Sequence, residues 1–279
     1  MTALVDEERL EEAPPEECRP PRITPRPTAE IRAQLRTAKT LWCPGCSNGI
    51  ITRALIDAVL NLGLDPDRVV VVAGIGCSGR ISAYLRYSTV HTAHGRALAV
   101  ATGIKAVNPD LHVVVAMGDG DCAAIGGNHL IHAARRNLPM AVLCANNETY
   151  GMTGGQVTPT TPTGARTATT PDGNPDRAFD LVRLVEAAGA TYVARYSVAH
   201  TRPLIRAIRR ALAHPGFAFI EVLSPCPTQA GRRNRLGTPA EMLRALQQRC
   251  VPLSRARQMP AEELAGKVLI GEFVGGSES

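Results

Sequence analysis

Aromatic residues are scarce in this sequence: one tryptophan, four phenylalanines and five tyrosines among 279 residues. Proteins that hold single-stranded nucleic acid stack bases on such rings. Their scarcity, with no nucleic-acid motif present, speaks against that class. Long apolar runs are also missing, and no stretch approaches the roughly 18–20 consecutive apolar residues of a membrane span. The opening MTALVDEERLEEAPPEE is acidic and shows neither the basic start nor the apolar core of a secretory leader. Cysteine, at eight residues, is too sparse to staple a secreted scaffold. These absences point to a cytoplasmic, reducing compartment, where thiols serve as ligands or catalysts.

What is present is ordinary for a globular protein: 44% hydrophobic and 20% charged residues, with length enough for a sizeable core. The net charge of +6 is uneven. Residues 6–17 carry seven acids against one arginine. Arginines gather late, at Arg202, Arg206, Arg209 and Arg210, then at Arg232, Arg233 and Arg235. Such patches read as solvated or subunit-facing surface, and they also suit an acidic protein partner.

Residues 1–40 are rich in Pro, Glu and Arg without periodicity, and read as an arm. From residue 41 to 236 the pattern alternates between strands and helices. Asn48 to Asn61 carries a helical apolar stripe and stops at Gly63. RVVVVAGIG, LHVVVAMGDGD, PMAVLCANN, TYVARYSV and FAFIEVLS read as strands, most of them unbroken apolar runs that imply burial on both faces. Helical stretches separate them, among them residues 94–108, stopped by Pro109, and residues 123–137. This alternation predicts an α/β fold with a doubly wound, mostly parallel sheet. Residues 151–177 form a long Gly-, Pro- and Thr-rich loop, a rarity in compact domains that is usually functional. Residues 237–279 read as a C-terminal tail packing on a partner subunit.

Ligands of doubly wound sheets sit at the carboxyl ends of the strands. There stand GIGCSGR, GDGD, NNETYGM and SPCPT. Asn146 and Asn147 follow Asp119 by 27 and 28 residues, the length of one strand–helix–strand unit. Neighbouring parallel strands would bring Asp119 and Asn147 side by side, offering the hard oxygen ligands that Mg²⁺ prefers. Gly118 and Gly120 let backbone approach a phosphate closely. The arrangement is similar to the thiamine diphosphate motif, GDG followed by a distant Asn. Carried over by position, Asp119, Asn147 and the Thr149 carbonyl would bind Mg²⁺, while Gly120, Asp121, Gly151 and Met152 would line the diphosphate.

LWCPGCSNGI places Cys43 and Cys46 three apart behind Trp42. A thioredoxin-like dithiol needs a strand before the pair, and TAEIRAQLRTAKT is a poor one. Cys77 and Cys226 each follow a predicted strand, so the four thiols can meet at one sheet edge. An iron–sulfur cluster, a zinc ion or no ligand at all fits this spacing. Cys122 and Cys144 read as core thiols. Cys18 and Cys250 have no evident partner.

At this point the sequence resembles the beta subunit of a 2-oxoacid:ferredoxin oxidoreductase. The shared stretches are WCPGC, GIGCSGR, HTAHGRALAVATGIK, GDGD, GGNHLIHAARRN, YGMTGGQ and SPCPT with GRRN, in order across residues 40 to 236. The resemblance implies a 4Fe–4S cluster on Cys43, Cys46, Cys77 and Cys226 beside thiamine diphosphate and Mg²⁺. It also implies cofactor contacts from Ile75, Gly76, Cys77 and Ser78 and from His94, Gly95, Arg96 and Ala97. His94, Arg96 and Arg80 are the expected contacts to substrate or reacting groups. The implied reaction joins a 2-oxoacid to coenzyme A with loss of CO₂ and transfer of electrons to ferredoxin, or fixes CO₂ in reverse. YGMTGGQ with Arg80 is closer to the 2-oxoglutarate branch than to the pyruvate branch. One thiamine domain is too few, so an alpha subunit is expected to bring the pyrimidine-side domain and its activating glutamate. Ser47, Asn146 and Gly154 depart from the common pattern. The competing reading is a thiamine-dependent decarboxylase or synthase without redox chemistry, its cysteines holding zinc.

Overall fold

The computed structural model describes residues 26–276. The acidic stretch 6–17 and Cys18 lie outside the described residues. The chain runs through α1 (Thr28–Ala33), α2 (Asn48–Leu62), β1 (Val69–Ala73), α3 (Ile81–Tyr84), β2 (Ser88–His91) and α4 (Ala97–Val107). It continues through β3 (His112–Gly118), α5 (Asp119–Ala123), α6 (Gly127–Arg136), β4 (Met140–Asn146), α7 (Leu181–Ala187), β5 (Tyr192–Ser197), α8 (Thr201–Ala213) and β6 (Phe217–Leu223). The last elements are α9 (Pro239–Arg249), β7 (Cys250–Pro252), α10 (Leu253–Ala256), α11 (Ala261–Leu264) and β8 (Val268–Val274).

The strands form one sheet in the order β2-β1-β3-β4-β6-β5-β8-β7. The first six are mutually parallel, and β8 runs antiparallel to β5. Consecutive side chains of a strand point to opposite faces, which explains the valine runs. Val69 and Val71 join one core with Leu55 of α2 and Ile208 of α8. Val70 and Val72 join the other with Leu98 of α4, Leu130 of α6 and Val185 of α7. Both faces are therefore covered, and β1, β4 and β6 are buried along their whole length.

Three local differences from the sequence reading have physical causes. The helix expected across residues 123–137 starts only at Gly127, as α6, because Gly126 must pass close to its neighbours. A Cβ there would lie 2.4 Å from the Asp121 carbonyl oxygen. The stretch expected to be helical from His94 turns helical only at Ala97, since Gly95 is left-handed at φ +70. Residues 237–276, read as a tail, are built into this chain's own sheet. Thr238 and Glu241 form a capping box that starts α9, and β8 extends the sheet beyond β5. Of the N-terminal arm, Ile31 is buried in the α2–α8 core. Among the described residues no helix is long and apolar enough to cross a membrane.

Candidate active site

The carboxyl ends of β1, β3 and β4 open onto a cavity of about 420 Å³. Ile75, Gly76, Cys77 and Ser78 line it after β1, and Asp119, Gly120 and Asp121 after β3. Asn147, Thr149, Gly151 and Met152 line it after β4, and His94 closes one side. Parallel pairing of β3 with β4 aligns Gly118 with Ala145, so the GDGD and NNETYGM turns face each other as the spacing predicts.

Asp119 is 1% exposed. Its Oδ2 accepts the Thr160 hydroxyl at 2.6 Å and its Oδ1 accepts the Asn147 amide at 3.3 Å. Burial pushes its carboxyl above the ordinary carboxylate range, and hydroxyls of Thr160 and Thr158 with the Asn147 N–H pull it back. Asn147 Oδ1 accepts the Thr149 amide at 3.2 Å. Between them Glu148 is left-handed, at φ +59, an uncommon state for a residue with a side chain. That turn sets both Asn147 and Thr149 toward the cavity. Asn146, by contrast, points into the sheet, where its Nδ2 donates to Glu221 at 2.7 Å.

Asp121 ties three loops together. Its Oδ1 accepts the Gly95 amide at 2.7 Å and lies 2.5 Å from His94 Nδ1. Burial raises its carboxyl, with the Gly95 amide and His94 opposing. A Cβ at position 74 would fall 1.6 Å from Asp121 Oδ2, so only glycine lets these loops meet. Sequence reasoning overlooked that Gly74 to Gly79 spells G-x-G-x-x-G after a strand, the spacing of a dinucleotide fingerprint. The motif leads into a 3₁₀ turn and the four-residue α3, not the long helix that such a site requires.

Of the residues expected near the cofactor, Gly95, Arg96 and Ala97 stay off the cavity lining. Gly95 serves close packing, since a Cβ there would meet Ile125 at 2.5 Å. Ala97 is buried as the first residue of α4. Arg96 is exposed with Nη1 3.4 Å from the Ile125 carbonyl. Arg80 ends the 3₁₀ turn, half-buried and off the lining. Within this chain, His94 alone of the three expected substrate contacts reaches the cavity. His91 ends β2 with Nδ1 3.3 Å from Ser82 Oγ.

The four thiols approach the same cavity from its other side. A Cβ on Gly151 would sit 3.5 Å from Cys226 Sγ and 3.6 Å from Cys77 Sγ. Gly45, between Cys43 and Cys46, packs on Pro239 and Pro227, next to Cys226. Burial pushes the Cys77 thiol up to about 11, with negative charge on Cys46, Cys226 and Cys43 adding to it. Burial likewise raises Cys46, and Cys226 and Cys43 add to that rise. Trp42 Nε1 donates to the Cys77 carbonyl at 2.7 Å, which fastens the cysteine-pair loop to the end of β1. Among the described residues no group of three or more His, Cys, Asp or Glu is placed to hold a metal ion. Cys122 and Cys144 are buried core thiols, as read from the sequence.

Sequence reasoning missed the threonines of TPTT. Thr158, Thr160 and Thr161 are buried, and Thr161 donates to the Glu148 carbonyl at 2.8 Å. Tyr150 was missed too; its hydroxyl donates to the Gly120 carbonyl at 3.2 Å. For the threonines the signal is the length and composition of the loop that carries them; Tyr150 stands inside the NNETYGM stretch at the end of β4.

Residues 74–222 match the family model described as thiamine pyrophosphate enzyme, C-terminal TPP binding domain. The chain is 50% identical over 234 residues to a 2-oxoglutarate synthase subunit KorB of Methanocaldococcus jannaschii, covering 84% of this chain and 87% of that one. A protein of the same name from Archaeoglobus fulgidus is 52% identical over 222 residues, covering 79% and 81%. Among solved structures, a 2-oxoglutarate:ferredoxin oxidoreductase from Magnetococcus marinus with 2-oxoglutarate, coenzyme A and succinyl-CoA bound superposes with a TM-score of 0.78. It is 32% identical and the match covers 88% of this chain and 85% of that chain. The chain therefore belongs to the thiamine diphosphate-dependent 2-oxoacid:ferredoxin oxidoreductases, as a beta subunit of the KorB type.

Proposed function

We propose that this chain and an alpha subunit convert 2-oxoglutarate and coenzyme A to succinyl-CoA and CO₂, passing electrons to ferredoxin, or run the reaction in reverse. In this reading Asp119, Asn147 and the Thr149 carbonyl hold Mg²⁺ on thiamine diphosphate. Cys43, Cys46, Cys77 and Cys226 hold a 4Fe–4S cluster. When bound, thiamine diphosphate supplies a carbanion for attack on a 2-oxo carbon and an electron sink, and the cluster supplies a one-electron acceptor.

The observation that carries the proposal is the shared wall. Gly151 lines the cavity, and a side-chain carbon there would stand against two of the four sulfurs. Cys77 belongs to both sites. The donors fit the groups. Asp119 and Asn147 offer hard oxygen, and Gly76 has open space where a side chain would stand. Cys77 and Cys226 stand together against the Gly151 position, and one C-x-x-C pair with two distant single thiols suits a multinuclear iron–sulfur group better than a lone zinc. His94 faces the cavity with its Nδ1 against Asp121, leaving Nε2 to meet a substrate oxygen. Ile75 and Met152, both partly exposed at the cavity, exclude water once a partner covers them. Among the described residues no glutamate lines the cavity, which favours an activating glutamate from the alpha subunit.

Anaerobic purification of the complex and a panel of 2-oxoacids with ferredoxin as acceptor tests the reading. Turnover is expected with 2-oxoglutarate, dependent on coenzyme A and thiamine diphosphate. Ferredoxin-independent release of CO₂ by a colourless, zinc-containing complex would establish the non-redox alternative instead.

A further inference from the structure

A polar chain enters the sheet from the surface and ends on Asp119. Asp180, the N-cap of α7, accepts Arg195 Nη2 at 2.5 Å. Arg195 Nε donates to Glu221 Oε2 at 2.6 Å, and Glu221 Oε1 accepts Asn146 Nδ2 at 2.7 Å. That contact fixes which way the Asn146 amide faces. Its Oδ1 is turned to the Glu148 amide, at 3.1 Å, and to the Thr160 hydroxyl, at 3.0 Å. The same hydroxyl lies 2.6 Å from Asp119 Oδ2. A hydroxyl has one proton to donate, here shared between the two acceptors, with the closer, charged one holding the greater part.

We propose that Thr160 is a positioning residue for the divalent cation, the last member of a buried relay that fixes the rotamer of the Asp119 carboxylate. The proposal rests on Asp119 being a ligand of that cation. Stability alone does not explain the relay. Glu221 is 2% exposed, and a buried ion pair is commonly no better for stability than apolar residues of the same volume. Its value here lies in orientation. Arg195 orients Glu221, Glu221 orients Asn146, and Asn146 with Asp119 brackets one hydroxyl between them. Thr158 Oγ1, 3.2 Å from Thr160 Oγ1, and Thr161, bonded to the Glu148 carbonyl, hold the loop against the turn that carries Asn147 and Thr149. Residues that orient a metal ligand from behind change metal affinity by about 10–100-fold when removed.

The test uses the assembled complex, stripped of metal and titrated with Mn²⁺ in the presence of thiamine diphosphate, bound Mn²⁺ being read by its magnetic resonance spectrum. Thr160→Val keeps the shape and removes the hydroxyl. It is expected to weaken Mn²⁺ about 10–100-fold and to broaden the bound-ion spectrum. Thr160→Ser is expected to restore both. Glu221→Gln is expected to weaken Mn²⁺ in the same direction but less. A Thr160→Val complex that binds Mn²⁺ like the parent, while Asp119→Ala does not bind it, overturns the role of Thr160 and leaves the ligand in place. Parent-like Mn²⁺ binding by Asp119→Ala overturns the ligand assignment itself. If Thr160→Val fails to assemble, Thr160→Cys carries the test, since a thiol is a weak donor of similar volume. Cys must then give intermediate affinity, and parent-like affinity refutes the proposal.

Discussion

The two walls that meet at Gly151 are built in opposite ways. On the diphosphate wall, Asp119, Asp121 and Thr149 are buried and each is held by a neighbour's hydrogen bond. On the thiol wall Cys43 is exposed, and Cys46, Cys77 and Cys226 are half-buried. Their few supports are Asn48 at 3.3 Å from Cys46 Sγ, the Gln229 amide at 3.5 Å from Cys226 Sγ, and Trp42 on the Cys77 carbonyl. The first wall is organised before its ligand arrives. In the proposed function the second would gain its order from the cluster, linking metal binding and local folding there.

The strongest way to break this comparison is to remove a thiol. Cys226→Ser is expected to eliminate the cluster and ferredoxin reduction while thiamine diphosphate content stays at the parent level. Loss of both would show that the walls are not independent. The converse change, Asp119→Ala, is expected to abolish Mg²⁺-dependent cofactor retention with iron content unchanged, read on desalted complex.

Iron chelation sharpens the comparison by a smaller effect. Amide exchange is expected to rise through residues 39–46 when iron is removed, and to stay slow through residues 145–149 when thiamine diphosphate and Mg²⁺ are removed. Equal loosening of the two segments would contradict the difference in preorganisation.

Acidity separates the walls next. Thiols bind iron as thiolates, and Cys77 is pushed up to about 11, so cluster assembly releases protons and its yield should climb with pH between about 7 and 9. The Asp119 carboxyl is raised from its usual 3.8 in the folded protein. Folded chains then bind more protons than unfolded ones above that value. The stability this group contributes is complete below it and is lost as pH rises through the raised folded value. Cofactor-free complex should therefore unfold at lower urea near pH 7 than near pH 5, with saturating Mg²⁺ and thiamine diphosphate reducing the gap. An unchanged gap would remove Asp119 from its cause. Smallest of all, Trp42→Phe deletes one N–H donor and should cost about 1 kcal/mol of stability at the thiol wall.

Much of this architecture is legible in the sequence. Valine runs declare the doubly covered strands, and the spacing from Asp119 to Asn147 brings two strand ends together. Those signals are local and periodic. Gly74 is visible only as a letter in a motif, because its need arises from Asp121, far along the chain. Thr160 is hidden for the same reason: a threonine in a Pro-rich loop looks like any other until the loop folds onto Asp119. Strand β8 escapes because its pairing with β5 spans a long chain separation and most of its residues are only partly buried. Arg80 and Arg96 are read from the motifs that carry them, and within this chain both stand off the cavity lining.

In the proposed function, four thiols hold an electron acceptor on the wall of the thiamine cavity. Anaerobically prepared complex, frozen after mixing with 2-oxoglutarate and coenzyme A, should show the magnetic resonance signal of a reduced 4Fe–4S cluster, with about four iron per beta subunit. Cys77→Ser should abolish the signal. Stoichiometric zinc without iron, or a signal that persists in Cys77→Ser, would contradict the account.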